Sequence, residues 1–190
     1  MYGREIDGRE FTFDFGSGLI NDNLLIVDRE TSSIWSQLHG RAISGPMEGT
    51  PLPVIPSMQV TWKYWRYLYP ETWVMWEKDS EGRPYYYRNR RPGEPRPKKP
   101  SKEHDTSALG LGLVYKGNTM FFAFRELMKA QIPVIVIFGE HTVAVYYDDD
   151  ATGAWAIDGD LNVIPAVLVY DWAWFDFFPD SGTYKETPGF

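Results

Sequence analysis

The sequence contains three histidines, and histidine is the side chain best suited to acid–base catalysis or metal binding near neutral pH. None of His39, His104 and His141 has a second histidine nearby at the spacing of metal ligands. His39 and His141 fall in predicted turns, and an internal symmetry that brought both to one surface would create a metal site or an acid–base pair. Histidines exposed in turns are the simpler interpretation. A metal-binding protein or hydrolase that uses these histidines and neighbouring carboxylates is therefore kept as an alternative.

Acidic residues cluster at positions 148–150 and 158–162, and the second cluster reads Asp-Gly-Asp-Leu-Asn. This run offers the oxygen ligands of a calcium loop but lacks the twelve-residue spacing and the closing glutamate, so turn formation is the favoured role. The chain has no cysteine, no Gly-x-Ser-x-Gly elbow, and no dinucleotide or phosphate loop. These absences exclude thiolate metal sites and cysteine nucleophiles, and the sequence predicts no cofactor, no metal and no catalytic residues.

The most unusual feature of the composition is its aromatic content, with 8 Trp, 12 Tyr and 11 Phe among 190 residues. Most of these lie in two segments, residues 60–76 and 169–184. Trp62, Trp65 and Tyr69 share one helical face and have the spacing of a core stripe. The remaining aromatics exceed what one core can hold, so some should line a protein interface or a groove for sugars. The candidate binding residues are Trp35, Gln37, His39, Tyr64, Trp73, Trp76, His141 and Trp172.

The two aromatic segments match each other without gaps at an offset of 109 residues, which places Trp65 on Trp174 and Pro70 on Pro179. Further upstream, residues 28–35 can be laid on residues 148–155, but a rival alignment lays the Asp-Gly turn at 7–8 on residues 152–153. We interpret the match as an internal duplication. Residues 1–76 form the first repeat, residues 77–107 a basic proline-rich linker, and residues 108–190 a shorter second repeat.

Each repeat reads as several short strands followed by one aromatic helix. This order predicts a single compact α+β domain, mostly antiparallel, with two pseudo-symmetric repeats. Thr61 is the predicted N-cap of a helix that runs to Tyr69, and Asp171 is the predicted N-cap of a helix over residues 172–178. The run of valine and isoleucine within residues 132–138 lacks alternation, which predicts a strand buried on both faces at the centre of the sheet.

The linker differs sharply from the rest of the chain in charge. Residues 88–102 hold seven Lys or Arg and one Glu, a local charge of +6 in a chain of net charge −7. Either these cations contact an acidic partner or lipid headgroups, or the segment is a solvated, proline-stiffened connection. The candidate contact residues are Arg88, Arg90, Arg91, Arg96, Lys98 and Lys99. A sequence pI near 5.0 disfavours a nucleic-acid partner.

The longest purely apolar run has seven residues, whereas a membrane-spanning helix needs about 20. No transmembrane segment is therefore predicted, although association with a membrane surface stays open. The first 20 residues also lack the basic start and apolar stretch of a secretory signal. Length and composition are those of one globular unit.

Several motifs of the first repeat resemble one known family. They are the run at residues 20–31, Trp35-Ser36-Gln37, the Gly-Pro-x-x-Gly of residues 45–49, and Tyr69-Pro70-Glu71-Thr72. Together these are similar to the bacterial and archaeal domain-of-unknown-function 3179 family, clearly over residues 1–76 and more weakly over 108–184. Members are commonly exported or lipid-anchored outside the cytoplasmic membrane, so the resemblance implies an extracytoplasmic location, periplasmic or at the cell surface.

Family members usually begin with a further segment that ends in a Cys-Pro turn, and this sequence starts after it. We therefore expect a protein partner or second chain that completes the first repeat. The leading functional hypothesis is a non-catalytic extracytoplasmic accessory module that docks through exposed aromatics and the basic linker. A histidine-based metal protein or hydrolase and a carbohydrate-binding module built on Trp and Asp are the alternatives.

Overall fold

The computed structural model describes residues 1–74 and 108–186. Within these ranges the chain is β-rich, with mostly antiparallel sheets and three short helices. The predicted α+β class is therefore confirmed. Only two strands in these ranges, β14 and β8, run parallel to each other.

The first half contains a hairpin, a four-stranded sheet and a helix. The hairpin is β1 (Glu5–Ile6) and β2 (Arg9–Glu10). The sheet is a simple meander of β3 (Phe13–Ile20), β4 (Asn23–Asp28), β5 (Ile34–Ser36) and β6 (Arg41–Ser44). An extended segment then leads to α1 (Trp62–Leu68). Phe11, Trp35 and Leu52 form the centre of the small core beneath this sheet.

The second half has a similar order of hairpin, meander and helix, with additional elements. Its elements are β7 (Leu109–Tyr115), β8 (Asn118–Ala123), α2 (Phe124–Leu127), β9 (Val134–Phe138), β10 (His141–Asp148), β11 (Gly153–Asp158), β12 (Val163–Ile164), β13 (Ala166–Tyr170), α3 (Asp171–Phe177) and β14 (Gly182–Thr183). One sheet is the meander β9–β10–β11–β12, and the other has the order β13–β7–β8–β14. Leu113, Phe122, Val143 and Val145 are fully buried between them.

Matching turns connect the matching strands of the two halves. The β1–β2 turn at Asp7 and the β7–β8 turn at Lys116 both have a φ of 50°, and each is followed by a glycine at positive φ. The backbone N–H of Thr31 donates to the Asp28 carboxylate after β4, as that of Ala151 donates to Asp148 after β10. This geometry favours laying residues 28–35 on 148–155. The Asp-Gly turn at 7–8 has φ values similar to those of residues 116–117.

The prediction of a central strand at residues 132–138 is wrong. The strand β9 begins at Val134 and lies at one end of its sheet, where it pairs only with β10 among the described strands. Val134 and Phe138 face the core, but Ile135 and Ile137 are 58% and 63% exposed. An unbroken apolar run therefore does not require burial on both faces, because position in the sheet depends on which strands pair.

The two aromatic helices begin close to the predicted positions. Thr61 is confirmed as the N-cap of α1, since its hydroxyl oxygen accepts a hydrogen bond from the backbone N–H of Tyr64. The prediction that Asp171 is the N-cap of the second aromatic helix is wrong, because the N-cap residue is Tyr170. Asp171 is the first residue of α3, and its carboxylate accepts from the adjacent N–H of Trp172.

Candidate functional site

The first aromatic helix exposes the face that the sequence assigned to the core. Trp62, Trp65 and Tyr69 are 51%, 37% and 53% exposed, and α1 buries none of its residues in the part of the chain that the structure describes. The core assignment of this stripe is therefore wrong. Just beyond the helix, Trp73 is 96% exposed. We call Trp62, Trp65, Tyr69 and Trp73 the α1 surface.

Two rings of the α1 surface, those of Trp65 and Tyr69, are held in place although they are exposed. The indole N–H of Trp65 donates a hydrogen bond of 2.9 Å to the Thr72 hydroxyl. The Trp65 and Tyr69 ring centroids lie 4.5 Å apart at an interplanar angle of 39°. Fixed aromatic rings lose little conformational freedom on binding, which favours their use as contact residues.

The second aromatic helix has the same local geometry but is buried. The indole N–H of Trp174 donates to the Ser181 hydroxyl at 2.7 Å, and the Trp174 and Phe178 rings lie 4.4 Å apart, again at 39°. Trp174 is only 1% exposed. The difference between the helices therefore lies in what covers each of them.

Trp174 is covered by strand β7 at Gly112. A β-carbon built on Gly112 would lie 2.3 Å from the Trp174 ring, so only a glycine lets the strand pass this close beneath the indole. The strand β7 also pairs with β13, the strand that leads into α3, with Val167 opposite Gly112 and Val169 opposite Gly110.

The corresponding segment before α1 pairs with no described strand, although the Gln59 carbonyl oxygen lies against Gly153 of β11, where an added β-carbon would come within 2.8 Å of it. At the offset of 109, Met58 and Val60 correspond to Val167 and Val169. Residues 57–60 pair with no strand among the described residues, and residues 57–59 are exposed. An unpaired backbone edge thus lies beside the α1 surface.

Tyr64 lies on the opposite side of α1, where it fastens the helix to the second half. Burial, reinforced by the Asp148 carboxylate and a hydrogen bond to it, raises the pKa of the Tyr64 hydroxyl. Thr61 adds two bonds to the same turn, from its N–H to the Ala151 carbonyl and from its hydroxyl to the Asp150 carbonyl. Tyr64 therefore positions the helix and is not part of its exposed face.

A concave region lies between the halves. It is a cleft of about 450 Å³ lined by Tyr2, Gln37 and His39 from the first half and by Gly112, Trp174 and Phe178 from the second, among others. The His39 ring packs edge-on against Phe177, with centroids 4.7 Å apart. Burial, together with the Arg41 charge, lowers the pKa of His39 and favours the neutral imidazole. None of the described lining residues is a carboxylate.

The two turn histidines occupy different surroundings. His141 packs against the ring of Tyr115 at 5.8 Å, whereas His39 contacts Phe177 and Phe178. No group of three or more His, Asp or Glu side chains in residues 1–74 and 108–186 could hold a metal ion. The Asp158 carboxylate, within the calcium-like run, accepts hydrogen bonds from the N–H groups of Asp160 and Asn162 and so closes its own turn.

The remaining predicted site residues fall in three places. Trp35 is fully buried, and its indole N–H donates to Asp28, so it belongs to the core. Trp172 is half-buried on α3. Trp76 and the six candidate cations, Arg88, Arg90, Arg91, Arg96, Lys98 and Lys99, lie outside the described residues. The sequence pattern does not identify Trp62, Trp65 and Tyr69 as surface residues, because their exposure depends on the packing of the fold.

None of the helices in the described ranges is long and apolar enough to cross a membrane. In comparisons with known proteins, no curated protein and no solved structure matches the chain. One family does match: the sequence model of DUF3179, described as a protein of unknown function, aligns with residues 1–158. This alignment spans the whole first half and the second half through β11. The chain therefore belongs to the DUF3179 family.

Proposed function

We propose that this chain is a non-catalytic interaction module that binds another protein through the α1 surface. The observation that carries the proposal is the contrast between two helices of the same local geometry. Trp174 is 1% exposed because strands of the same half cover it, whereas Trp65 is 37% exposed. Rigid, exposed Trp and Tyr side chains are the residue types that dominate the binding energy of protein interfaces.

The cleft at His39 offers weaker support for an enzyme. The His39 ring packs against Phe177 and Phe178. Within the lining of the cleft, the Tyr2 hydroxyl donates a hydrogen bond to the backbone carbonyl of Gln37. A general base also needs a partner that orients it toward a reacting group. The α1 surface therefore supports an interaction function better than the cleft supports catalysis.

The family resemblance and the basic linker extend the proposal. Exported family members support an extracytoplasmic location for this chain. The matched order of elements and the matched turns in the two halves support an internal duplication. The cations of residues 88–102 would attract an acidic partner, because opposite charges on two proteins raise the rate at which they associate.

Photo-cross-linking tests the interaction directly. We would place p-benzoylphenylalanine at Trp73, which is 96% exposed, and at Phe15 on β3 as a control that is 82% exposed but distant in sequence. In cells of the native source we expect a protein adduct from position 73 and none at that mass from position 15. Adducts to lipid alone, or no adduct from position 73 under conditions where the chain is abundant, would contradict a protein-docking function.

A further inference from the structure

We infer that the partner contributes an antiparallel β-hairpin, whose first strand pairs with residues 58–60 and passes a glycine beneath Trp65. This inference rests on the proposed function and specifies the partner's structure. Its basis is the second half, where the hairpin β7–β8 covers α3 and the strand β13 that precedes it.

The covering element in the second half is the hairpin β7–β8. Strand β7 pairs with β13 along five residue pairs, and β8 lies on its other side. Trp174, Phe121 and Ala123 form a small buried cluster with Ala108, and Val167, Val169 and Phe178 pack against it. Removing this hairpin would expose the Trp174 face and leave the β13 backbone unpaired.

The first half presents the same local geometry, and no strand in residues 1–74 or 108–186 covers it in this way. The helices α1 and α3 have bounds that differ by 109 residues at each end. Their C-cap residues have nearly equal backbone angles, with φ −131° and ψ 74° at Tyr69 and φ −131° and ψ 69° at Phe178. Because the Trp65 indole is already bonded to Thr72, a hairpin would find the receptor preformed.

The first half has its own hairpin, but this hairpin is paired elsewhere. By the 109 offset, Tyr2 should pair with Gln59, as Leu111 pairs with Leu168. It pairs instead with Val54, and the flanking bonds run from the Gly3 N–H to the Pro53 carbonyl and from the Ile55 N–H to the Met1 carbonyl. Because Tyr2 pairs five residues earlier than the offset predicts, residues 58–60 have no partner strand among the described residues. One side of this segment lies against Gly153 of β11, and a strand from outside would pair along the other side. Strand addition to such an edge is a common mode of protein recognition.

The residues around Trp65 specify the chemistry of the partner strands. The position opposite Trp65 must be glycine, because a β-carbon at the equivalent Gly112 would lie 2.3 Å from the indole. In the second half Phe121 packs on Phe175, with ring centroids 5.8 Å apart. Arg66 stands at the position of Phe175, and it is exposed. The partner's second strand should therefore carry a carboxylate where β8 carries Phe121.

A designed peptide provides the probe. It has the sequence of residues 108–124, carries Phe121→Glu to face Arg66, and is cyclised through its ends so that the hairpin is held. We expect saturable binding to the full chain, slower amide hydrogen exchange at residues 58–60, and a change in tryptophan fluorescence. Restoring Phe at position 121 of the peptide should weaken binding at low salt.

Two matched substitutions make the test specific. Gly112→Val in the peptide should weaken binding at least tenfold, because its side chain would collide with Trp65. Trp65→Ala in the protein should weaken it similarly, whereas Phe15→Ala should leave it unchanged. Equal binding by the Gly112→Val peptide, or unchanged exchange at residues 58–60, would overturn the hairpin.

The remaining outcomes separate this inference from the proposed function. In the cross-linking experiment at position 73, the adduct should map to a glycine-containing strand of the partner. An adduct on a helix or loop would overturn the hairpin while leaving the interaction module intact. A dimer that forms with increasing concentration and is lost with Trp65→Ala would identify a second copy as the occupant. Saturable binding to anionic phospholipid vesicles through Trp65 would identify a membrane. Either result would overturn the inference.

Discussion

The indole nitrogen of Trp35 donates a hydrogen bond of 2.7 Å to the carboxylate of Asp28, and both side chains are buried. The same carboxylate also accepts from the backbone N–H groups of Thr31 and Ser33 and from the Thr31 hydroxyl. Asp28 therefore ties the turn between β4 and β5 to the core of the first half.

Replacing Asp28 with alanine should destabilise the protein strongly. The substitution leaves the Trp35 N–H and the turn N–H groups buried without an acceptor, at a cost of about 1–3 kcal/mol for an unpaired buried group. We expect the free energy of unfolding, measured by urea denaturation, to fall by at least about 2 kcal/mol. Asp28→Asn, which keeps one acceptor oxygen, should lose less. Equal losses for both variants would show that the hydrogen bonds are not the cause.

The same carboxylate predicts a pH dependence. Burial alone would raise the pKa of Asp28, but hydrogen bonds from Trp35, Thr31 and Ser33 outweigh it and hold the pKa below its ordinary value of 3.8. The unfolded chain therefore takes up the proton first as the pH falls. The contribution of Asp28 to stability is complete well above pH 3.8 and is lost as the pH falls through the folded pKa.

Urea titrations between about pH 2 and pH 7 would measure this dependence. The difference in unfolding free energy between the natural chain and Asp28→Asn should shrink at the acid end. A difference that stays constant across this range would contradict a lowered pKa.

Gly112→Ala tests the close approach of β7 to α3. The new methyl group would lie 2.3 Å from the Trp174 ring, so the indole or the strand must move. Overpacking of this kind costs about 1–3 kcal/mol, which we expect as a lower melting temperature and lower urea midpoint. Gly159→Ala is the matched control, since no atom lies within 4 Å of its β-carbon position. Similar losses in both variants would show that the Trp174 contact is not the cause.

Trp174→Ala and Trp65→Ala should have unequal effects on the stability of the isolated chain. Trp174 is 1% exposed, and removal of such a side chain costs about 3–5 kcal/mol. Trp65 is 37% exposed and covers no core, so its loss should cost much less. Urea denaturation of both variants provides the comparison. A large loss for Trp65→Ala would show that the α1 surface is already covered in the isolated chain.

The sequence predicted the two aromatic helices well because their determinants are local. The Thr61 cap and the fixed spacing from each Trp to the hydroxyl seven residues later lie within one short segment. Burial could not be predicted in the same way. Trp65 and Trp174 have similar neighbours in sequence, yet in the part of the chain that the structure describes only Trp174 has a glycine-bearing strand beneath it. That strand comes from about 60 residues earlier in the chain.

The prediction of a central position for the strand at residues 134–138 was wrong for a related reason. Its apolar sequence is compatible with either a central or an outer position, and the choice depends on the meander that follows it. His39 presents a third case, because its turn is predictable but its contact with Phe177 joins residues 138 positions apart. Local pattern thus specified elements and turns, while long-range packing decided which side chains reach the surface.

The outer position of β9 has a practical consequence for handling the protein. A five-residue strand without a charged side chain, with Ile135 and Ile137 turned outward, is the type of edge that recruits like strands from other molecules. Natural sheets usually protect such edges with lysine or proline. Aggregation of concentrated samples should therefore begin at β9, and a lysine at position 135 would act as a gatekeeper against it.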